Sequence, residues 1–100
     1  VTANDARFVD QLLPTLERVA PGRVREVSKI TASEDFSLYA QRVPGVFLFL
    51  GITPAAELAT AAGNHSPLFY VDESALPTGM RAYAQVAADY LFAHAKSRGR

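Results

Sequence analysis

The sequence predicts an α/β fold in which helices pack on a mixed, mostly parallel sheet. Two observations carry this prediction. Residues 46–52, VFLFLGI, are apolar at almost every position, which is typical of a strand covered on both faces. Apolar residues with helical spacing occur near both ends of the chain, and short strand-like stretches lie between them. Strands that alternate with helices favour a sheet with helices on its faces.

The first element is a helix within residues 2–22. Phe8, Leu12, Leu16 and Val19 recur at intervals of three or four and form one apolar face. Ala-Pro-Gly closes the pattern, since proline and glycine commonly end helices. The sequence therefore predicts one amphipathic helix at the start of the chain.

Three strands and a short helix are predicted in the middle of the chain. Residues 23–30 alternate charged and apolar side chains, which indicates a weak or edge strand. Residues 46–52 form the central strand, and residues 68–71 add a short one. A short helix is predicted within residues 31–42, which Pro44-Gly45 breaks.

A long helix is predicted after Asp72 and Glu73, which can serve its N-terminus. Its apolar residues follow the spacing of one buried stripe. The stripe consists of Met80, Tyr83, Ala84, Ala87, Tyr90, Leu91 and His94.

The composition of the chain argues against several classes of function. Ten basic and ten acidic residues cancel among 100 residues, which argues against nucleic acid and membrane surfaces as partners. The chain has no cysteine, which excludes thiol catalysis and cysteine-bound zinc within it. No apolar run approaches the roughly 20 residues of a membrane span. A soluble protein is expected, with a cytoplasmic location favoured and export left open.

The chain opens with Val1, and its one methionine is Met80. Either a leader has been removed or the chain is a segment of a longer protein. The stretch that follows Val1 has no signal-peptide character, which favours the segment.

Glu34 and Asp35 are the first residues with a candidate role in chemistry. Acidic residues in the first turn of a helix complement the helix dipole and need no further function. A functional role requires a third group, because adjacent carboxylates can hold a histidine or bind a metal only with a partner. Both interpretations stay open from the local sequence.

His65 is the candidate third group. It lies in the stretch GNHSPLFYV, where Gly63 and Pro67 restrict the loop. A held imidazole suits Zn, Mn, Co or Ni. A lone loop histidine is more often a solvated surface residue, so spacing alone does not establish a metal ligand.

The stretches ASEDFSLYAQRVPGVFLFLG and GNHSPLFYVDESALPTGMRAYAQVAADYL together resemble the C-terminal part of the M20 metallopeptidase and amidohydrolase family. The resemblance is to the branch with hippurate hydrolases, N-acyl-amino-acid amidohydrolases and plant auxin-conjugate hydrolases. It rests on an ordered set: Ser-Glu-Asp-Phe, a Val-Pro-Gly turn, an apolar run ending in glycine, a loop histidine and a Leu-Pro helix start. Each motif is weak by itself, and the set in this order is specific.

The resemblance implies a three-layer α/β/α metallohydrolase catalytic domain, split by an inserted dimerisation domain. Residues 1–100 would be its C-terminal segment, after the insertion. The partners implied are the N-terminal part of the same domain, a second copy of the intact protein in a homodimer, and a small N-acyl amino acid or peptide as substrate.

The resemblance also implies two divalent metal ions and cleavage of an amide bond by a metal-activated water. His65 would be a metal ligand, and Glu34 and Asp35 would support the site without binding metal. The general base and the other ligands would lie upstream, so no catalytic residue is expected in this segment and the segment alone would be inactive.

The alternative is a non-catalytic α/β binding or interaction domain. In that case the Ser-Glu-Asp-Phe and Asn-His-Ser-Pro stretches would be only helix caps and turns. A third alternative is a relative that has lost its metals and acts as a scaffold. Upstream clusters of histidine, aspartate and glutamate in a longer parent chain would favour the enzyme.

Overall fold

A computed structural model describes residues 1–30 and 32–95. Three α-helices are present in these residues, together with two single-turn 3₁₀ helices. The α-helices are α1 (Ala6–Val19), α2 (Phe36–Ala40) and α3 (Leu76–Ala95), and the 3₁₀ helices are Ala55–Glu57 and Glu73–Ala75. The first residue of the predicted helix within 31–42 lies outside the described ranges, as does the chain after residue 95.

Helix α1 forms as the sequence predicts. Asp5 is its N-cap, and the Asp5 side chain accepts a hydrogen bond of 2.8 Å from the backbone N–H of Phe8. Leu12 and Leu16 are buried, and Thr15 between them is only 4% exposed. The predicted apolar face is therefore the face that packs inward.

Helices α1 and α3 pack against each other and make the principal contact between elements. Thr15 Oγ1 donates a 2.5 Å hydrogen bond to Asp89 Oδ2, and Arg18 forms an ion pair with the same carboxylate. Gln85 Nε2 donates to Asp89 Oδ1 at 2.9 Å. We call Thr15, Arg18, Gln85 and Asp89 the α1–α3 clasp, because it joins the two helices through polar contacts.

The prediction of an α/β fold with helices on a mixed, mostly parallel sheet is wrong for the described residues, which contain no strand. Residues 46–52 carry no strand assignment. Among the described residues, their backbone contributes to a single hydrogen bond with another backbone group, from Asp72 N–H to Ile52 O at 2.9 Å. Within the same ranges, residues 23–30 and 68–71 also form no ladder.

The predicted strands are absent because an apolar run indicates only that its side chains favour burial. A strand also needs a neighbouring strand that pairs with its backbone. Here the Asn4 side chain forms hydrogen bonds with the backbone of the run, as a neighbouring strand would. Asn4 Oδ1 accepts from Phe47 N–H at 2.7 Å, and Asn4 Nδ2 donates to Phe47 O at 3.1 Å. We call this pair of bonds the Asn4 clamp. Next to it, Asp5 N–H donates to Gly45 O at 3.0 Å.

Rings cover one side of this apolar run. The ring of Phe47 lies 5.5 Å from that of Phe36 in α2 and 5.2 Å from that of Phe49, measured between centroids. A Cβ at Gly45, just before the run, would lie 2.9 Å from Phe36 Cζ, so a larger residue there would require the Phe36 ring to shift. The acidic stretch before α2 is thus attached to the apolar run through Phe36.

The predicted buried stripe of α3 is also wrong. Met80 is 72% exposed, Tyr83 86% and Leu91 66%. The side of α3 that meets α1 carries Asp89, which the stripe does not contain, and one stripe residue, Tyr90, whose ring contacts Phe8 edge-on at 5.5 Å. The expectation for Asp72 is confirmed, since its side chain accepts from Ser74 N–H at 3.0 Å just before α3.

Candidate functional site

The acidic pair lies at the start of α2. Asp35 is the N-cap residue and has helical backbone angles, and its side chain makes no capping hydrogen bond within the described chain. Glu34 Oε1 accepts from Phe36 N–H at 3.3 Å, and both carboxylates are exposed. Glu34 therefore accepts a hydrogen bond from the backbone at the start of α2. The Asp35 carboxylate makes no capping bond there.

Asp35 also borders an open cavity of about 550 Å³. The other lining residues are Leu38, Tyr39, Gln41 and Arg42. Leu38 and Tyr39 are more than half exposed, so an apolar surface, a carboxylate and a guanidinium border one depression. Such a mixture can contact an amphipathic small molecule.

His65 lies in a tight loop with a left-handed backbone. Its φ of 72° is the one positive value at a residue other than glycine in the described ranges of the chain. The backbone N–H of His65 donates to Asn64 Oδ1 at 3.1 Å, and Ser66 N–H donates to Gly63 O at 3.2 Å. Left-handed residues other than glycine are concentrated at functional sites, where the surroundings impose the conformation.

The loop continues directly into further turns. Phe69 N–H donates to Ser66 O at 3.0 Å, and Leu68 N–H donates to Ser66 Oγ at 3.1 Å. The His65 side chain is exposed. The loop is held by its own hydrogen bonds, and its imidazole is accessible from solvent.

The predicted site residues do not form a complete metal centre within the described residues. No group of three or more His, Asp or Glu side chains there is placed to hold a metal ion. His65, Glu34 and Asp35 are thus not gathered into one ligand set. An imidazole is a good ligand for a divalent transition metal, and a tetrahedral site needs at least two more protein ligands.

His94 is the second histidine and lies in the last turn of α3. Its Nδ1 is 2.8 Å from the carbonyl oxygen of Tyr90, and its ring stacks on the Tyr90 ring with centroids 3.9 Å apart. These contacts are internal to α3.

The carboxylate that the surroundings perturb most clearly was not among the predicted site residues. Hydrogen bonds from Thr15 and Gln85, together with the positive charge of Arg18, lower the pKa of Asp89 from its ordinary value of 3.8. The sequence offered one signal, because Gln85 and Asp89 are four residues apart on a helix. Their pairing with α1 depends on how the two helices pack.

Comparison with known proteins finds relatives that are named as an IAA-amino acid hydrolase, a carboxypeptidase and a deacetylase. Residues 1–89 match the Peptidase family M20/M25/M40. Because this match covers most of the sequence, the chain belongs to that family. The resemblance inferred from the ordered motifs is confirmed.

Three relatives illustrate the range of the family. The chain is 33% identical over 90 residues to IAA-amino acid hydrolase ILR1-like 6 of Arabidopsis thaliana, covering 90% of the chain and 19% of the relative. It is 32% identical over 90 residues to thermostable carboxypeptidase 2 of Saccharolobus solfataricus, covering 90% of the chain and 22% of the relative. It is 29% identical over 84 residues to N-acetylcysteine deacetylase of Bacillus subtilis, covering 84% of the chain and 20% of the relative.

The chain spans about a fifth of the length of these curated relatives. No solved structure matches it significantly. In residues 1–30 and 32–95, no helix is both long enough and apolar enough to cross a membrane.

Proposed function

We propose that the full-length protein is a metal-dependent amidohydrolase that cleaves the amide bond of N-acyl amino acids or small peptides. In this proposal, residues 1–100 are the C-terminal segment of the catalytic domain, following an inserted dimerisation domain. Membership of the peptidase family supports hydrolysis. The relatives' names support the substrate class, since they describe a hydrolase of an IAA-amino acid, a carboxypeptidase and a deacetylase of N-acetylcysteine.

The observation that carries the role of this chain is the backbone of His65. A residue other than glycine at φ 72° is held there by the loop around it, and its imidazole is exposed. We infer that His65 supplies one ligand to one of two divalent metal ions. No group of three or more His, Asp or Glu side chains among the described residues could hold a metal ion, and the proposal therefore assigns the other ligands to the upstream portion of the protein.

The metals considered are Zn, Mn, Co and Ni, all of which bind imidazole. When bound, such ions supply the positive charge that makes a water nucleophilic at neutral pH and that stabilises the developing oxyanion. The contribution of this chain is to hold an imidazole on a loop that is closed by its own hydrogen bonds. We assign the general base to the upstream portion, which makes the isolated chain inactive.

Glu34 and Asp35 have a supporting role in this proposal. Asp35 borders the 550 Å³ cavity together with Arg42 and Tyr39, and Phe36 anchors the pair to the apolar run. The carboxylates would shape or orient the site from this position. The remaining partners are the N-terminal part of the catalytic domain, a second copy in a homodimer, and the small-molecule substrate.

The experiment compares His65→Ala with the wild type in the full-length protein. Metal content per chain is measured by mass spectrometry of the ions, and hydrolysis is measured with a set of N-acetyl amino acids. We expect about two divalent ions per chain in the wild type, because paired ions are typical of such hydrolytic sites. His65→Ala is expected to lose metal and to lower hydrolysis by more than the roughly tenfold to hundredfold seen when groups that only support metal ligands are removed, since His65 is proposed as a ligand itself.

His94→Ala is the matched control, since it removes the other imidazole and is expected to leave metal content unchanged. Glu34→Gln and Asp35→Asn are expected to keep both metals and to change hydrolysis only. Full metal content and full activity in His65→Ala would contradict the assignment of His65. A wild-type protein without metal and without hydrolysis would favour a binding domain or scaffold.

A further inference from the structure

A small cavity lies where the segment after α1 meets the first turns of α3. Its volume is about 270 Å³. The residues that line it are Val19, Ala20, Pro21, Arg23, Thr78 and Arg81. The packing of α1 on α3 therefore places two exposed arginine residues that are distant in the sequence at the border of one cavity.

No carboxylate is among the described residues that line this cavity. Glu17 lies in α1 shortly before the cavity, and its carboxylate accepts from Gly22 N–H at 3.2 Å instead. Two like charges that border one small space repel each other, and the repulsion is larger near protein than in bulk water. A negatively charged occupant would offset it.

The two guanidinium groups also keep unused donors. Arg81 uses its Nε, which donates to Pro77 O at 3.4 Å, and neither terminal nitrogen forms an ion pair within the described ranges of the chain. Arg23 contributes its backbone N–H to a turn, at 3.0 Å from Ala20 O, and its side chain forms no ion pair there either. Arg18, by contrast, is neutralised by Asp89.

We propose that this cavity is a binding site for a small oxyanion, either a phosphate group or a carboxylate. Guanidinium groups present forked N–H donors that match both kinds of anion, and charge-assisted hydrogen bonds of this kind are the stronger ones. The hydroxyl of Thr78 adds a further donor at the same cavity. The site uses none of His65, Glu34 or Asp35, so it does not depend on the proposed hydrolytic function.

The test is isothermal titration of the full-length protein with inorganic phosphate, and separately with acetate, at constant ionic strength. The variants are Arg23→Gln and Arg81→Gln. Arg7→Gln is the matched control, because Arg7 is an exposed arginine of α1 that does not line the cavity. Each of the three substitutions removes one positive charge, so all three change the net charge of the protein equally.

We expect the wild type and Arg7→Gln to bind one of the two anions equally well, and each cavity variant to bind it about tenfold more weakly or worse, as expected when a charged hydrogen-bond donor is lost. The anion that binds more tightly identifies the class of ligand. Absence of binding by the wild type would overturn the proposal. Binding that is as tight in both cavity variants as in the wild type would also overturn it, since that binding would arise elsewhere in the protein, and so would equal weakening in Arg7→Gln.

Discussion

At the scale of single residues, the Asn4 side chain replaces a neighbouring strand. It forms both of the hydrogen bonds that such a strand would form with the Phe47 backbone. Its amide accepts from Phe47 N–H and donates to Phe47 O. A side-chain amide has both an acceptor oxygen and a donor nitrogen, so it satisfies both backbone groups of one residue at once. The clamp attaches the start of the chain to the apolar run that follows α2.

We predict that Asn4→Ala in the full-length protein loosens this attachment locally. The loss of two exposed hydrogen bonds should cost about 1 kcal/mol of local stability. Exchange of the Phe47 amide hydrogen should then become about fivefold faster, because 1 kcal/mol corresponds to that factor. Hydrogen-exchange mass spectrometry of a peptide that contains Phe47 measures the effect.

Gln11→Ala serves as the control for Asn4→Ala, since it shortens an exposed amide side chain on α1. It should leave the exchange of Phe47 unchanged. An unaltered rate in Asn4→Ala would show that the clamp contributes nothing to the position of the run. Asn4→Asp should fall between the wild type and Asn4→Ala, because a carboxylate keeps the acceptor and loses the donor.

His65 shows what local sequence could and could not reveal about the site. Gly63 and Pro67 indicated a restricted loop, and the turns around Ser66 agree with this. The left-handed residue, however, is His65 itself. That conformation has a steric cost for histidine and none for glycine, so residue type alone would have placed it at Gly63.

At the scale of elements, the α1–α3 clasp determines how the two long helices meet. Thr15 is buried beside Leu12 and Leu16, and its hydroxyl is satisfied by Asp89 on the other helix. A buried hydroxyl without a partner would cost free energy. The clasp therefore gives a reason why a polar residue occupies the inner face of α1.

We predict that the clasp makes a pH-dependent contribution to stability. Asp89 has a lowered pKa in the folded protein, so its contribution is fully present above its ordinary value of 3.8 and is lost as the pH falls through the lower folded value. The thermal midpoint of the wild type should exceed that of Asp89→Asn at a pH of about 6, where the carboxylate is ionised. The difference should shrink as the pH is lowered below the ordinary value.

Asp10→Asn is the control for the clasp, because Asp10 is an exposed aspartate on α1. The difference in thermal midpoint between Asp10→Asn and the wild type should not shrink in the same way as the pH is lowered. A difference between wild type and Asp89→Asn that stays constant down to a pH of about 2 would contradict an ionised Asp89 as the stabilising form. Thermal scans of the three proteins across this pH range are sufficient.

Helix α3 illustrates why an apolar pattern does not select a neighbour. The spacing of Met80, Tyr83 and Leu91 correctly indicated a helix with an apolar stripe. In the structure these three residues are exposed, and α1 contacts α3 through Asp89 and through Tyr90, the stripe residue that meets Phe8. An apolar stripe indicates that a face suits burial, and only packing decides what covers it.

At the scale of the whole molecule, the described chain is extended for its length. Its radius of gyration is 15.8 Å, where a compact domain of this size has about 13 Å. Leu12 and Leu16 are its buried apolar residues, while apolar side chains of the run at 46–52 and of α3 are exposed. Exposed apolar surface of this extent is typical of a surface that another portion of a protein covers.

We predict that the 100-residue chain, produced alone, binds the apolar dye ANS much more strongly per mole than the full-length protein does. The reason is that the longer protein should cover exposed apolar side chains such as Phe49, Met80 and Leu91. Dye fluorescence of both proteins at equal molar concentration measures this. Weak dye binding by the isolated chain, with a cooperative thermal transition, would instead indicate an independent domain.

Several features of this protein could be predicted from its sequence alone. The helix with Leu12 and Leu16, the turn at His65, the cap at Asp72 and the membership of the family all follow from local patterns, because spacing and turn chemistry act over a few residues. Packing alone determined the absence of strands in the described residues, the exposure of Met80, Tyr83 and Leu91 on α3, the clasp at Asp89 and the position of Arg23 and Arg81 at one cavity. Those features join segments that are far apart in the sequence, and their partners are selected by which surfaces come together when the chain folds.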